Sequence, residues 1–269
     1  MRRERWPTDG LPDAALFCAA ERRFFIVEKS VDMRYNELLN FAGATEDICS
    51  RDFGEVNMDL KVDFDVWERR EIFDFFSEMS NPFYMVTFRQ NVTRLYNYTK
   101  QNHISFYYAL IYLCTKAINT IPAFHYVIRQ SDIYCLSERI PSFTDIKKGR
   151  ELFHIVTMPC DNSMIEFCNQ ARERSQKQNV FIESNMESDS LIYFSCVPWV
   201  DITALTNERD LSSPQAKDES IPHITWGKYV RSGDQLELGI SIEVNHRLID
   251  GIHIGQFAEA LTSSIEELL

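Results

Sequence analysis

Residues 236–257 read LELGISIEVNHRLIDGIHIGQF, and a change of period inside them decides the fold class. Leu236, Leu238, Ile240, Ile242 and Val244 alternate with Glu237, Gly239, Ser241, Glu243 and Asn245, the repeat of a strand with one buried face. Phe257, Leu261, Ile265 and Leu268 then recur at helical spacing. Between the two periods His246 is followed, four residues on, by Asp250 and then Gly251. An imidazole and a carboxylate therefore stand at a sharp bend from strand into helix.

Working outward, His223 to Val230 is expected to form a hairpin with Leu236 to His246 across Arg231-Ser232-Gly233-Asp234, where Gly233 supplies a positive φ. Leu191 to Val197 reads as a strand, and Leu205 to Ser220, with Pro214, as a polar loop. Asp161 or Asn162 is expected to cap a helix running to about Lys177. Short strands are expected around Tyr126 to Arg129, Ile133 to Leu136, Ser142 to Ile146 and Leu152 to Met158. The clearest helix starts after the cap Ser105, places Phe106, Ala109, Leu110, Leu113, Ala117 and Ile118 on one face, and ends before Pro122. Further upstream, Phe83 to Gln90 reads as a strand followed by a helix capped by Asn91, and Trp67 to Phe76 as a short helix offering Trp67, Ile72, Phe73 and Phe76 to a core. Strands and helices interleave, so the class is α/β.

Residues 1–57 differ: RRER at the start, Pro7, Gly10 and Pro12, and apolar patches without a sustained period. They are expected to be a loosely anchored N-terminal extension, or to lie outside the true start, with Met58 as an alternative; residues 58–269 are the compact domain.

Composition excludes several classes. With 28 Lys and Arg against 40 Asp and Glu, the net charge is −12, which speaks against a nucleic-acid partner. Neither a long apolar run nor a signal-peptide core is present in the sequence, so no membrane span or export signal is expected. Seven cysteines, with no C-x-x-C pair and mostly in apolar stretches, are expected to be reduced, buried thiols of a cytoplasmic protein. The six histidines are dispersed, without H-E-x-x-H or zinc-like spacing, so no metal is expected. A Gly-rich phosphate loop and G-x-S-x-G are also absent from the sequence. His246 is left as the candidate base, since imidazole titrates near neutral pH. From spacing alone a structural histidine closing the strand is the commoner reading, and Asp250 is either its orienter or a helix cap.

VNHRLIDGIHIGQF resembles the H-H-x-x-x-D-G signature of the chloramphenicol acetyltransferases, and WERREIFDFF at Trp67, SFYYALIYLCTKAIN at Ser105, FSCVPWVDI at Phe194 and PHITWGKYVRSGDQL resemble that family in the same order. The resemblance covers roughly Val62 to Leu269. It implies a two-layer sandwich, a mixed β-sheet covered by helices, assembled as a homotrimer of an antibiotic-modifying acyltransferase that uses acetyl-CoA. It further implies that His246 is the general base for an acceptor hydroxyl and that Ser195 donates to the tetrahedral oxyanion. Asp250 and Arg69 would pair with each other to hold the turn, Thr225 would assist through a water, and Lys228 and Tyr229 would lie near the coenzyme. Departures from the family pattern are Asn245 for its first histidine, Ser105 for a lysine near the coenzyme phosphate, and Tyr193, Phe76 and Asn207 in the acceptor pocket, where the family has asparagine, tyrosine and leucine. The acceptor is therefore expected to be chloramphenicol or another small hydroxyl compound. Asn245-His246-Arg247 and Asp250-Gly251 also echo the D-H-R-x-x-D-G of dihydrolipoyl acyltransferase cores, which leaves that core as an alternative, along with a trimer that sequesters a small molecule without turnover.

Overall fold

The computed structural model describes residues 59–209 and 211–269; the expected extension 1–57 lies outside them. Ten strands and five α-helices follow one another there: β1 Leu60–Lys61, α1 Arg70–Ser77, β2 Phe83–Asn91, α2 Thr93–Gln101, α3 Phe106–Asn119, β3 Tyr126–Arg129, β4 Asp132–Cys135, β5 Ile140–Ile146, β6 Phe153–Thr157, α4 Met164–Lys177, β7 Leu191–Cys196, β8 His223–Trp226, β9 Val230–Ser232, β10 Gln235–Asn245 and α5 Gly251–Glu266. The main sheet runs β2-β10-β8-β7-β5-β6, with β9 also on β10; β1-β4-β3 form a small second sheet. Strands β7 and β8, and β5 and β7, are parallel, and the other pairs are antiparallel. The α/β class and the mixed sheet covered by helices are as expected.

Register explains why the sheet has two unlike faces. One row crosses six strands as Val86, Ile242, Ile224, Phe194, Phe143 and Val156, and all but Val86 are fully buried. One residue along each of the first four strands, the opposite face carries Thr87, Ser241, Thr225 and Ser195. Period-two alternation thus delivers an apolar face to the helices and a hydroxyl-lined face away from them. The apolar side meets α3, which packs against α2, α4 and α5. The expected single apolar stripe of α3 proves too narrow, because Ile111, Cys114 and Thr115 are also fully buried. A helix packed against neighbours on several sides keeps only a narrow polar edge, here at Lys116.

Local differences have local causes. Helix α4 is capped by Ser163, in a capping box with Glu166, rather than by Asp161 or Asn162. Asn91 lies one residue before the N-cap Val92, and its Oδ1 accepts from the Thr93 N–H and hydroxyl. Ile72 is 40% exposed, whereas Trp67 and Phe73 are buried as expected. The four thiols Cys114, Cys160, Cys168 and Cys196 are free, as expected of them.

The hairpin leading into β10 is broken. Strand β8 stops at Trp226 because Lys228 N–H turns away to donate to the Val200 carbonyl at 2.7 Å. Segment 200–202 lies directly over two glycines: a Cβ on Gly227 would meet the Val200 oxygen at 2.5 Å, and one on Gly239 would meet the Ile202 oxygen at 2.6 Å. Only residues without a side chain admit this approach.

Buried Arg139, 1% exposed, ties the two sheets together. Its guanidinium donates to the carbonyls of Phe124, Tyr126, Asp189, Leu191 and Ser220. Burial pushes its pKa down to about 9, so it stays charged at neutral pH.

Candidate active site

Strand β10 ends at Asn245, and His246 donates its N–H to the Pro82 carbonyl at 2.8 Å. The chain then turns sharply, and Asp250 occupies the N-cap position of α5. Arg69, just before α1, grips this turn. Its Nη2 donates to the His246 carbonyl at 2.9 Å and to Asp250 Oδ1 at 2.8 Å, its Nε donates to the Arg247 carbonyl at 2.7 Å, and its Nη1 donates to Asp250 Oδ2. The bidentate geometry is the one guanidinium and carboxylate favour. Asp250 N–H in turn donates to His253 Nδ1 at 2.9 Å. Of the two roles open to Asp250, the geometry favours the cap: it stands in a capping box with His253 while its carboxylate is also held by Arg69, and Oδ1 stands 3.5 Å from His246 Nε2, an ion-pair distance too long for a good hydrogen bond.

The imidazole is held by aromatic rings. Phe76 stacks on it with centroids 3.8 Å apart and planes at 24°, and Tyr84 packs against it at 4.1 Å. Burial pulls the His246 pKa below its ordinary value; Asp250 opposes this and Arg69 adds to it. For Asp250 burial works against ionisation, but the hydrogen bonds and charge of Arg69, with His253 and His246 adding to them, together outweigh it and hold the carboxyl below the usual range. At neutral pH the site holds a carboxylate, a guanidinium and a neutral imidazole.

Ser195 and Thr225 face each other in register on the parallel strands β7 and β8, hydroxyl to hydroxyl at 2.8 Å. They border a cavity of about 320 Å³ whose wall includes Tyr193, Asn207, His223 and Glu187. Neither His246 nor Phe76 borders that cavity. Register fixes how far apart the two clusters are. Ser195 is level with Thr225, which is level with Ser241, two strands away from β7 and five residues before His246. At ~3.4 Å per residue and ~4.8 Å between strands, the Cα atoms are roughly 19 Å apart. Within one chain the imidazole and the serine hydroxyl cannot meet.

Tyr229 packs edge-on against Tyr96 and Phe106 just after the break in the hairpin, and neighbouring Lys228 is exposed. Ser105 uses its hydroxyl to accept the Tyr108 N–H at the start of α3. Asn245 donates its amide to the carbonyls of Lys217 and Glu219 at 2.8 and 2.9 Å, which fastens the loop between β7 and β8 to the end of β10.

The chloramphenicol acetyltransferase family pattern matches residues 57–262. The chain belongs to that family. Chloramphenicol acetyltransferase 3 of Escherichia coli is 25% identical over 205 residues, 75% of this chain and 94% of that protein. The chloramphenicol acetyltransferase of Staphylococcus aureus is 27% identical over 213 residues, 77% of this chain and 94% of its own length. Among solved structures, a chloramphenicol acetyltransferase superimposes with a TM-score of 0.70 at 22% identity, covering 77% of this chain and all of that one. The cubic core of a pyruvate dehydrogenase multienzyme complex gives 0.53 at 16% identity, over 80% of this chain and 92% of that one, and shares the fold.

Within this acyltransferase family fold, the chain gathers His246, Asp250, Arg69 and Phe76 in one cluster, and Ser195, Thr225, Tyr193 and Asn207 in a second. Sequence reasoning missed Tyr84 and the pair His223–Glu219. Tyr84 reaches His246 only because β2 pairs with β10 in the register Tyr84 opposite Val244, which no local pattern encodes. His223 sits two residues before Thr225, the residue the resemblance singled out, and on the same face of β8, so period-two alternation outward from Thr225 could have included it.

Proposed function

We propose that the protein is an acetyl-CoA-dependent O-acetyltransferase acting on a hydroxyl of chloramphenicol or a related small molecule, at a site shared between copies of a cytoplasmic homotrimer. The observation that carries this reading is the Arg69 clamp. By occupying Asp250 and the carbonyls of His246 and Arg247, it fixes the turn while leaving the imidazole neutral, the state a general base requires. In this reading His246 takes the proton of the acceptor hydroxyl as its oxygen attacks the acetyl carbon. Acetyl-CoA is the co-substrate and supplies the acetyl group as an activated thioester. Ser195, aligned by Thr225, donates a hydrogen bond to the carbonyl oxygen as charge builds there, a contribution of ~3 kcal/mol to the barrier. The C–S bond breaks as the C–O bond is completed, and the proton on His246 passes to the departing thiolate. Residues 58–269 are assigned to this domain and 1–57 to an extension.

The roughly 19 Å between His246 and Ser195 supports a shared site: the serine cluster of one copy would face the histidine cluster of its neighbour. Lys228 and Tyr229 are assigned to the coenzyme. Because the Ser105 hydroxyl is used in a helix cap, Lys100, whose Nζ stands 5.2 Å over the Tyr96 ring that contacts Tyr229, is a cation available for the coenzyme phosphates. Phe76 and Tyr193 are assigned to the acceptor pocket.

The test is release of free CoA from acetyl-CoA by purified protein, with chloramphenicol, other hydroxyl compounds and dihydrolipoamide as parallel acceptors. His246→Ala is expected to lower the rate by about 100- to 10,000-fold with the oligomer unchanged. Undiminished rates in that variant would overturn the mechanism. Turnover of dihydrolipoamide alone would support the dihydrolipoyl acyltransferase alternative, and tight binding without turnover the sequestering trimer.

A further inference from the structure

Beside the serine, the same cavity wall holds a second imidazole that the proposed chemistry does not use. His223 and Ser195 are on neighbouring strands, with Tyr193 directly opposite His223 and the two rings edge to face at 5.1 Å. His223 Nε2 lies 2.7 Å from Glu219 Oε1. A carboxylate only accepts, so Nε2 carries the hydrogen and the tautomer is set. Glu219 is itself fixed by Arg209, whose Nη1 donates to Glu219 Oε2 at 2.6 Å and whose Nε donates to Glu243 Oε1 at 2.5 Å. Asn207 completes the chain, donating its N–H to Glu243 Oε2 at 2.9 Å. The network orients His223 from behind. Among the described residues, neither His223 Nδ1 nor the Tyr193 hydroxyl has a hydrogen-bond partner, and neither is a buried orphan. Two polar atoms held on a rigid sheet are thus left for whatever fills the cavity.

We propose that His223 and Tyr193 select the acceptor, and that the acceptor is a small polyhydroxylated compound of the sugar or sugar-alcohol class. One of its hydroxyls reacts, a second donates to His223 Nδ1, and a third accepts from the Tyr193 hydroxyl. Set beside Phe143, Ile155, Ile182 and Phe194 in the same lining, these oriented hydrogen-bonding groups discriminate for a ligand whose hydroxyls satisfy them, because one without matching hydroxyls leaves them desolvated and unpaired. The proposal rests on the acceptor-site reading of the cavity given above.

The experiment measures both binding and turnover, so that its failure and failure of the acetyltransferase reading are distinguishable. Full-length wild-type protein, His223→Phe and Glu219→Gln are titrated calorimetrically with a panel of monosaccharides and sugar alcohols and with chloramphenicol. CoA release is then followed with the same compounds. For wild type we expect kcat/KM for the best polyol at least 10-fold above that for chloramphenicol. In His223→Phe we expect polyol binding weaker by about 10- to 100-fold, carried mainly in KM, and chloramphenicol binding equal or tighter. Glu219→Gln should fall between, because Gln leaves the imidazole in place while loosening its tautomer. If no compound is turned over but polyols bind in a His223-dependent way, the acceptor class stands and the transferase reading falls. Wild type that prefers chloramphenicol, binds no polyol, or is indifferent to His223→Phe overturns the proposal.

Discussion

At the scale of single residues, the division of labour around the turn is electrostatic. Asp250 and Arg69 neutralise one another, and their side chains are only 29% and 11% exposed. His246 is left to titrate in a half-buried, aromatic setting. Burial lowers its pKa below the ordinary value of about 6.5, so the neutral base persists to lower pH than for a solvated histidine. Catalytic kcat/KM should therefore rise with pH along an acid limb centred below about 6.5. The same shift contributes stability that is complete above about pH 6.5 and is lost as pH falls through the folded-state value. Arg69→Ala removes a charge that disfavours the imidazolium and frees Asp250 to favour it. Both changes raise the His246 pKa, so the acid limb should move to higher pH. The variant should also lose about 2–4 kcal/mol of stability, somewhat below the figure for a fully buried pair because Asp250 is partly solvated. A pH–rate profile and a denaturant titration check the two parts, and an acid limb that stays in place or moves to lower pH would count against this electrostatic account.

At the scale of elements, β10 is the organiser: it pairs with β2, β8 and β9, and its end delivers the histidine. The close approach of segment 200–202 to Gly227 and Gly239 fixes where β8 breaks and hence where Lys228 and Tyr229 lie. Gly239→Ala would put a methyl 2.6 Å from a main-chain oxygen, which no side-chain rotation relieves. We expect it to destabilise the protein by about 1–3 kcal/mol and to raise the KM for acetyl-CoA more than it lowers kcat. Equal stability by thermal melting, with unchanged KM, would show that the segment yields at no cost. This contact also marks the limit of what the sequence conveys. The alternation in residues 236–245 and the helical period after 251 are local, and both elements appear with nearly the expected bounds. The break at Gly227 is set by residues 200–202, far away in the chain, and no periodicity announces it. Likewise the proximity of Ser195 to Thr225 follows from parallel pairing, the role of Asn245 from a loop folding back, and the packing of Tyr84 on His246 from register. The resemblance supplied Arg69 and Ser195 as site residues; the pattern alone would have left the first as a solvated helix residue and the second as an ordinary strand serine. His223 and Glu219 were passed over because the resemblance gives them no part.

At the scale of the whole molecule, the sheet keeps the proposed base and the proposed oxyanion donor on one strand system but out of reach of one another. Two clusters roughly 19 Å apart make chemistry together only if copies of the chain complete each other's sites. Cyclic trimers have heterologous interfaces, in which each copy offers one surface to one neighbour and a different surface to the other. That arrangement suits two half-sites on separate surfaces, and in the proposed trimer it would make assembly part of catalysis. The most direct test mixes two inactive variants, His246→Ala and Ser195→Ala, in equal amounts, unfolds them together and refolds them as mixed assemblies. If each site takes its histidine from one copy and its serine from the next, random mixing makes about one site in four intact. Activity should return to about a quarter of wild type, while each variant refolded alone stays inactive. Activity of the mixture that remains at the level of the separate variants would contradict the shared site.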